Sequence, residues 1–125
     1  MKSAIKLEGM LPGHTPYTPA MEANGFVFIS GQLATEKGSN RLYLDNITQE
    51  TTKVMENLGE VLTAAGLGYE HLVKCTIYVT NMQFYAEVSR VYLSYFKDAP
   101  PARETVGVKE LPRGVNVEIS GIACR

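Results

Sequence analysis

The sequence predicts a single α+β domain in which two helices pack on one face of a mostly antiparallel sheet. Two stretches with helical spacing of apolar residues alternate with several stretches of strand-type alternation, and turn residues separate them. The order is one strand, a hairpin, a helix, a strand, a second helix and two strands. With 125 residues and 45% apolar content, the chain 1–125 is long enough for one core.

The first part of the chain predicts a short strand and a hairpin. Residues 4–7 fit an edge strand, and residues 9–16 form a loop dense in glycine and proline. In residues 21–31, the Asn24-Gly25 pair is the signal of a type I′ turn. We therefore expect a hairpin there, with a buried second strand.

Apolar residues recur at three- and four-residue steps in two stretches, which predicts two amphipathic helices of about 16 to 18 residues. Asn46 is a suitable N-cap for the first helix, and Gly66 is a suitable end. Residues 71–80 form a strand, after which Asn81 caps the second helix and residues 98–101 stop it. Its aromatic residues are interpreted as core: Phe84, Tyr85, Tyr92, Tyr95 and Phe96.

The last quarter of the chain carries an arginine and a carboxylate on two segments of strand-like alternation. Turn residues at 109–114 separate these segments, which predicts a hairpin. In that pairing Arg103 lies near Ser120 and Thr105 lies near Glu118. Arg103 and Glu118 then become diagonal neighbours, which is compatible with one binding site and equally with a plain salt bridge.

Charge and composition argue against several classes of function. A net charge of −1 provides no long-range field to attract nucleic acid or anionic lipid. The chain has no run of about 18 apolar residues and no secretory signal, so we expect no membrane partner and a cytoplasmic location.

Cysteine and histidine spacing gives two further expectations. Cys75 and Cys124 form no C-x-x-C pair and are expected to be reduced thiols. His14 and His71 lack acidic or histidine neighbours at ligand spacing, so we expect no metal site.

The predicted sheet has a second face that two helices cannot cover. Alternation along residues 115–123 gives apolar side chains on at least one face, with Val115, Val117 and Ile119 or their alternates turned away from the helices. Such a face is unfavourable in water, which predicts self-association through the sheet.

Several ordered motifs resemble the RidA (YjgF-type) reactive-intermediate deaminase family over nearly the whole chain. The matching segments are Pro16-Tyr17, FVFISGQ at 26–32, LTAAG at 62–66, VKCTIYV at 73–79, PAR at 101–103, VGV at 106–108, Leu111-Pro112 and VEI at 117–119. The resemblance implies a chorismate-mutase-like sandwich. It also implies a homotrimer with sheets packed inward and three clefts at the subunit interfaces.

The resemblance also implies an activity. Members of this family hydrolyse enamine and imine intermediates, such as 2-aminoacrylate and 2-iminobutanoate, to 2-keto acids and ammonia. These intermediates are released by pyridoxal-phosphate enzymes that act on serine or threonine. The implied enzyme is a 2-iminobutanoate/2-iminopropanoate deaminase-type hydrolase that uses no cofactor.

By the same resemblance, Arg103 is the arginine that binds the substrate carboxylate, and its planar fork suits bidentate binding. Glu118 matches the glutamate that positions water and transfers protons. Enclosure would raise the pKa of this carboxyl, and a nearby arginine would lower it. Thr105 stands where the main chain of relatives contacts the nitrogen side of the ligand, and its side chain is equally compatible with a structural role.

Four further residues match the family pocket. Ser30 and Gly31 match the segment that faces the ligand, although a tight turn would also require a glycine. Tyr17 matches the tyrosine that closes the pocket from a neighbouring subunit, or else anchors its loop. Ser89 stands where relatives often carry asparagine. The loop reads TPYTPA at 15–20 where relatives often read GPYSQA, which bears on substrate preference.

Two classes of function remain open at this point. In the first, Arg103 fixes the carboxylate and water held by Glu118 adds to the imine carbon. In the second, the protein is a non-catalytic trimeric binder of small 2-keto or imino acids with a regulatory role. Glu118 favours the enzyme, since a carboxylate sensor gains nothing from a second negative group beside its ligand.

Overall fold

A computed structural model describes residues 1–7 and 16–125, so that His14 and most of the predicted loop at 9–16 lie outside the described residues. The predicted order of elements is confirmed. The strands are β1 Ser3–Ile5, β2 Ala20–Ala23, β3 Phe26–Gln32, β4 Leu72–Val79, β5 Ala102–Gly107 and β6 Val117–Cys124. The helices are α1 Ile47–Ala64 and α2 Tyr85–Leu93, with short 3₁₀ turns at Tyr69–His71, Met82–Phe84 and Pro112–Gly114.

The six strands of the described residues form one sheet in the order β1-β2-β3-β6-β4-β5. Every neighbouring pair is antiparallel except β4 and β5, which are parallel. The predicted hairpin of β5 and β6 is therefore wrong, because β4 lies between them. The cause is the connection through α2, since a strand, a crossover helix and a strand produce a parallel pair.

Local signals at the first hairpin and the first helix are confirmed. Asn24 has φ 53° and Gly25 has φ 82°, the left-handed conformations that a type I′ turn requires. The Asn46 side chain caps α1 by accepting a hydrogen bond of 2.8 Å from the backbone of Gln49. Gly66, with φ 74°, follows the end of the helix.

The second helix is shorter than predicted, with 9 residues after a 3₁₀ turn. Its last turn tightens, since Tyr95 and Phe96 donate backbone hydrogen bonds three residues back, to Tyr92 and Leu93. The aromatic residues beyond Leu93 pack against the core from this turn and not from a continued helix.

The core lies between the two helices and one face of the sheet. Apolar pairs in register, such as Ile77 with Ile119 and Val79 with Val117, point toward the helices and are buried. Glu50 of α1 is also buried, and its carboxylate accepts hydrogen bonds from the backbone of Asn116 and Val117. These bonds fix the start of β6 against α1.

The opposite face of the sheet, called the open face here, has no covering element within the described residues. Phe26 and Phe28 of β3 are 41% and 46% exposed, and Phe28 pairs with Ile122 of β6. Val106 of β5 adds a further exposed apolar side chain at 40%. Val115, Val117 and Ile119 are buried against the helices. The alternating residues of β6, namely Glu118, Ser120 and Ile122, belong to the open face.

Two further features of the described residues concern the cysteines and the apolarity of the helices. Cys75 is buried and Cys124 is partly exposed, and both are free thiols, as predicted. Their strand positions explain this, because Cys75 pairs with Gly121 on the helix side while Cys124 pairs with Phe26 on the open face. Among the helices of residues 1–7 and 16–125, none combines the length and the apolarity needed to cross a bilayer.

Candidate active site

Arg103 lies on edge strand β5, on the face of the sheet that α2 covers. It pairs with the buried Cys75, which fixes the direction of its side chain. Its guanidinium carbon stands 5.4 Å from the ring centroid of Tyr85 and 5.2 Å from that of Tyr92. Nη2 also donates a hydrogen bond of 3.0 Å to the Tyr85 hydroxyl.

The guanidinium of Arg103 makes no ion pair with any carboxylate in the described part of the chain. Its neighbour Glu104 points to the other face and pairs with Lys74 at 3.3 Å. The salt bridge between Arg103 and Glu118 that the sequence left open is therefore not formed within the protomer. A cation fixed by two tyrosines and without a carboxylate partner suits a carboxylate ligand.

Three buried hydroxyls without a hydrogen-bond partner lie on α2 and β5, the two elements that hold this arginine; we call Ser89, Tyr92 and Thr105 the hydroxyl cluster. Thr105 follows Arg103 by two residues on the same face of β5, since it pairs with the buried Ile77. Burial raises the pKa of Tyr92, and the Cys75 thiol beside it raises that pKa further. Buried hydroxyls almost always have partners, so three such groups together indicate a polar site that a ligand or a second protomer completes.

Glu118 lies on β6 with its side chain on the open face, opposite Tyr78. Burial raises the pKa of its carboxyl above the ordinary value. The carboxyl packs directly over Gly31, where an added Cβ would lie only 2.7 Å from Glu118 Cδ. Glycine at position 31 thus makes room for the acid, and an irregularity of β3 between Ile29 and Gln32 places Gly31 there.

Ser30 holds the loop that carries Tyr17. Its hydroxyl donates a hydrogen bond of 2.6 Å to the carbonyl of Thr18, and its backbone nitrogen donates one of 2.9 Å to Pro19. The hydroxyl keeps free acceptor capacity toward a ligand. Tyr17 itself is 53% exposed, so its ring is accessible to a neighbouring molecule.

The predicted residues therefore fall into two half-sites. One contains Arg103, Thr105 and Ser89 at the β5 edge, and the other contains Glu118 and Gly31 on the open face. The prediction that Arg103 and Glu118 are diagonal neighbours is wrong, because β4 separates their strands and their side chains point to opposite faces. From strand spacing and the three-residue offset, their Cα atoms are about 14 Å apart.

Sequence reasoning missed the two tyrosines that hold Arg103. Tyr92 is 2% exposed and was interpreted as core, which is correct for its ring and incomplete for its hydroxyl. Tyr85 is 42% exposed and does not belong to the core. Their spacing of seven residues on one helix was the available signal, since it places two phenol groups on the same stripe.

Comparisons with known proteins identify relatives over most of the chain. The family described as Endoribonuclease L-PSP matches residues 10–125. "Protein DfrA" of Myxococcus xanthus is 43% identical over 86% of this chain and 84% of its own length. A 2-iminobutanoate/2-iminopropanoate deaminase of Mus musculus is 36% identical over 86% of this chain and 80% of its own length.

The fold also has close structural relatives. The crystal structure of YyfA from Yersinia pestis, a protein of unknown function in the conserved Rid protein family, superposes with a TM-score of 0.94. The two chains are 36% identical, and the superposition covers 100% of both.

Proposed function

Since the chain belongs to the RidA (YjgF-type) family, described as Endoribonuclease L-PSP, we propose that it is an enamine/imine deaminase. The proposed reaction converts intermediates of the 2-aminoacrylate and 2-iminobutanoate class to 2-keto acids and ammonia. The observation that carries this proposal is the Arg103 guanidinium, which has no carboxylate partner among the described residues and lies beside the hydroxyl cluster. The name of the mouse relative supports the same chemistry.

Binding begins at Arg103 in this proposal. Two of its N–H groups receive the carboxylate of the imino acid in a bidentate pair, while the Tyr85 hydroxyl and two rings hold the guanidinium in place. Holding the carboxylate at a fixed point places the imine carbon at a fixed distance from the arginine. Such orientation increases the reaction rate because the loss of translational and rotational entropy takes place on binding and not in the chemical step.

We propose that the complete site forms between protomers of a homotrimer. Arg103 and Glu118 lie about 14 Å apart on opposite faces of their own sheet, as strand spacing indicates, so one protomer does not bring them to a single small ligand. The exposed Phe26 and Phe28 of the open face favour packing against a second copy. We propose that the open face of one protomer packs against the β5 edge of the next, so that Glu118, Gly31 and Tyr17 of the first meet Arg103 of the second.

The chemistry requires one proton carrier. Water adds to the protonated imine carbon, the C=N electron pair moves to nitrogen, and a proton of the water passes through Glu118 to that nitrogen. Collapse of the adduct breaks the C–N bond, and ammonia leaves as the hydroxyl proton passes to the Glu118 carboxylate. Glu118 then gives this proton to the released ammonia, which becomes ammonium, and is again a carboxylate for the next turnover. A carboxyl whose pKa is raised by burial suits this exchange near neutral pH.

We further propose that the reaction uses no cofactor and takes place in the cytoplasm. A protonated imine is already electrophilic at carbon, so hydrolysis needs only oriented water and a group that transfers protons. The net charge of −1 also argues against RNA as a substrate, despite the family description.

A regulatory binder of 2-keto or imino acids is the second candidate. It is favoured by the separation of the half-sites, since binding of a carboxylate needs Arg103 and not Glu118. The two candidates differ in turnover. A binder would retain affinity for 2-oxobutanoate without accelerating the hydrolysis of any imine.

The test couples the protein to a pyridoxal-phosphate dehydratase and serine and follows the formation of pyruvate. We expect acceleration by the wild type and none by Arg103→Ala. Arg90→Ala is the matched control, because Arg90 lies on exposed α2 surface and pairs with Glu87. Equal rates for the wild type and Arg103→Ala would refute the proposed activity, and binding without acceleration would favour the regulatory candidate.

A further inference from the structure

We infer that the hydroxyl cluster of Ser89, Tyr92 and Thr105 is a polar subsite that selects ligands with a hydroxyl on the side chain. The inference rests on the proposed function, because it concerns the part of a 2-imino or 2-keto acid that lies beyond the carboxylate held by Arg103. The proposed substrates are 2-imino acids with a hydroxylated side chain in place of a simple alkyl chain.

Helix and strand spacing place these three side chains on the facing surfaces of α2 and β5. On α2, Ser89 lies four residues after Tyr85 and three before Tyr92. Tyr85, Ser89 and Tyr92 therefore lie on one side of the helix. Both tyrosine rings contact Arg103, which shows that this side of the helix faces β5. Thr105 lies on β5 two residues after Arg103 and on the same face, so it approaches the helix from the opposite direction.

Burial gives the missing hydrogen-bond partners of these hydroxyls an energetic cost. Tyr92 is 2% exposed as a whole, and the oxygen atoms of all three residues are buried and without a hydrogen-bond partner. The Cys75 thiol lies beside the Tyr92 hydroxyl, and a thiol is only a weak hydrogen-bond partner. A buried hydroxyl left unpaired costs about 1 to 3 kcal/mol, so a ligand that pairs with these groups recovers part of that cost.

The chemistry of the subsite determines the class of ligand. Each hydroxyl both donates and accepts, and none of the three is charged. A neutral hydroxyl on the ligand offers the same two capacities, whereas an alkyl group leaves the cluster unpaired. Sites that pair with a ligand hydroxyl discriminate strongly against the analogue that lacks it.

The experiment compares two ligands of the same size on the full chain. In 4-hydroxy-2-oxobutanoate a hydroxyl occupies the place of the terminal methyl group of 2-oxopentanoate. Titration calorimetry should give a Kd about tenfold lower for the hydroxylated acid, the effect of one well-paired hydrogen bond. Equal affinities for the two acids would overturn the subsite and leave the proposed function intact.

Two variants and a control locate the effect. Ser89→Ala and Thr105→Val should each reduce the ratio of affinities, and the double variant should bring it close to one while 2-oxopentanoate still binds. Thr51→Val is the control, because Thr51 carries a buried hydroxyl without a partner on α1, outside the cluster. A ratio that survives the double variant would overturn the assignment to these residues. No binding of either acid by the wild type would refute the proposed function, and the subsite with it.

Discussion

Arg103 and Glu118 lie on opposite faces of one sheet, with β4 between their strands. Arg103 pairs with Cys75 of β4, whereas Glu118 pairs with Tyr78 three residues further along that strand. Each group has its own supporting residues: two tyrosines hold the guanidinium, and Gly31 makes room for the carboxyl. The two half-sites can therefore be perturbed separately.

Replacing Tyr85 by phenylalanine tests how the guanidinium is positioned. Tyr85→Phe keeps the ring over Arg103 and removes the hydroxyl that accepts its 3.0 Å hydrogen bond. Loss of one such bond should weaken binding of 2-oxobutanoate about three- to tenfold, as measured by calorimetry. Tyr95→Phe is the control, because Tyr95 packs on Tyr69. Unchanged affinity in Tyr85→Phe would show that the hydrogen bond does not position the arginine.

An added methyl group at Gly31 tests the contact with Glu118. In Gly31→Ala the new Cβ would overlap the carboxyl, so Glu118 must move, and imine hydrolysis should fall about tenfold or more. At Gly107 a Cβ would meet only the flexible Met82 side chain at 3.4 Å, so Gly107→Ala serves as the control. Similar rates for the two variants in the dehydratase assay would argue against this contact.

The raised pKa of Glu118 predicts a pH dependence of stability. Because burial raises its pKa, the folded protein holds this proton to higher pH than the unfolded chain does. The contribution is present at low pH and is lost as the pH rises through the folded pKa. Relative to Glu118→Gln, the wild type should lose free energy of unfolding as the pH rises from the ordinary glutamate pKa through the raised pKa of Glu118.

Urea unfolding of both proteins at one protein concentration measures this difference. Parallel stability curves over that pH range would mean that Glu118 titrates as an ordinary exposed carboxyl. A difference with the opposite sign would mean that a positive group lies close to Glu118 in the assembled protein.

An aspartate at position 28 tests assembly through the open face. Phe28 is 46% exposed in the protomer, so Phe28→Asp should fold, while a charge in a packed apolar interface should prevent association. Sedimentation velocity should give a trimer for the wild type and a monomer for the variant. Leu44→Asp is the control, because Leu44 is 36% exposed in the segment between β3 and α1 and belongs to neither half-site. A trimer in Phe28→Asp would remove the open face from the interface.

Local features of this fold follow from the sequence, and strand pairing follows only in part. The left-handed Asn24-Gly25 turn and the Asn46 cap depend on neighbouring residues alone, so short motifs predict them. The last two strands look like a hairpin because they are adjacent in the chain. The sequence also contains a signal against this hairpin. A helix lies between β4 and β5, and such a connection is typical of two parallel strands, so β5 pairs with β4 and not with β6.

The residues of the candidate site were also predictable only in part. The resemblance to known motifs selected Arg103 and Glu118, but alternation within a strand does not reveal which face its neighbour presents. The role of Tyr85 was hidden for a related reason: an aromatic stripe at helical spacing is usually core, and only its exposed position beside Arg103 distinguishes it.

The most direct test of a site shared between protomers is a mixture of two inactive variants. Arg103→Ala and Glu118→Gln should each abolish acceleration of imine hydrolysis. After joint unfolding and refolding at equal amounts, mixed trimers should recover about a quarter of the wild-type rate, because one site in four then pairs an intact Arg103 with an intact Glu118. If native mass spectrometry detects mixed trimers and the rate remains at that of the separate variants, the two groups do not act together across an interface.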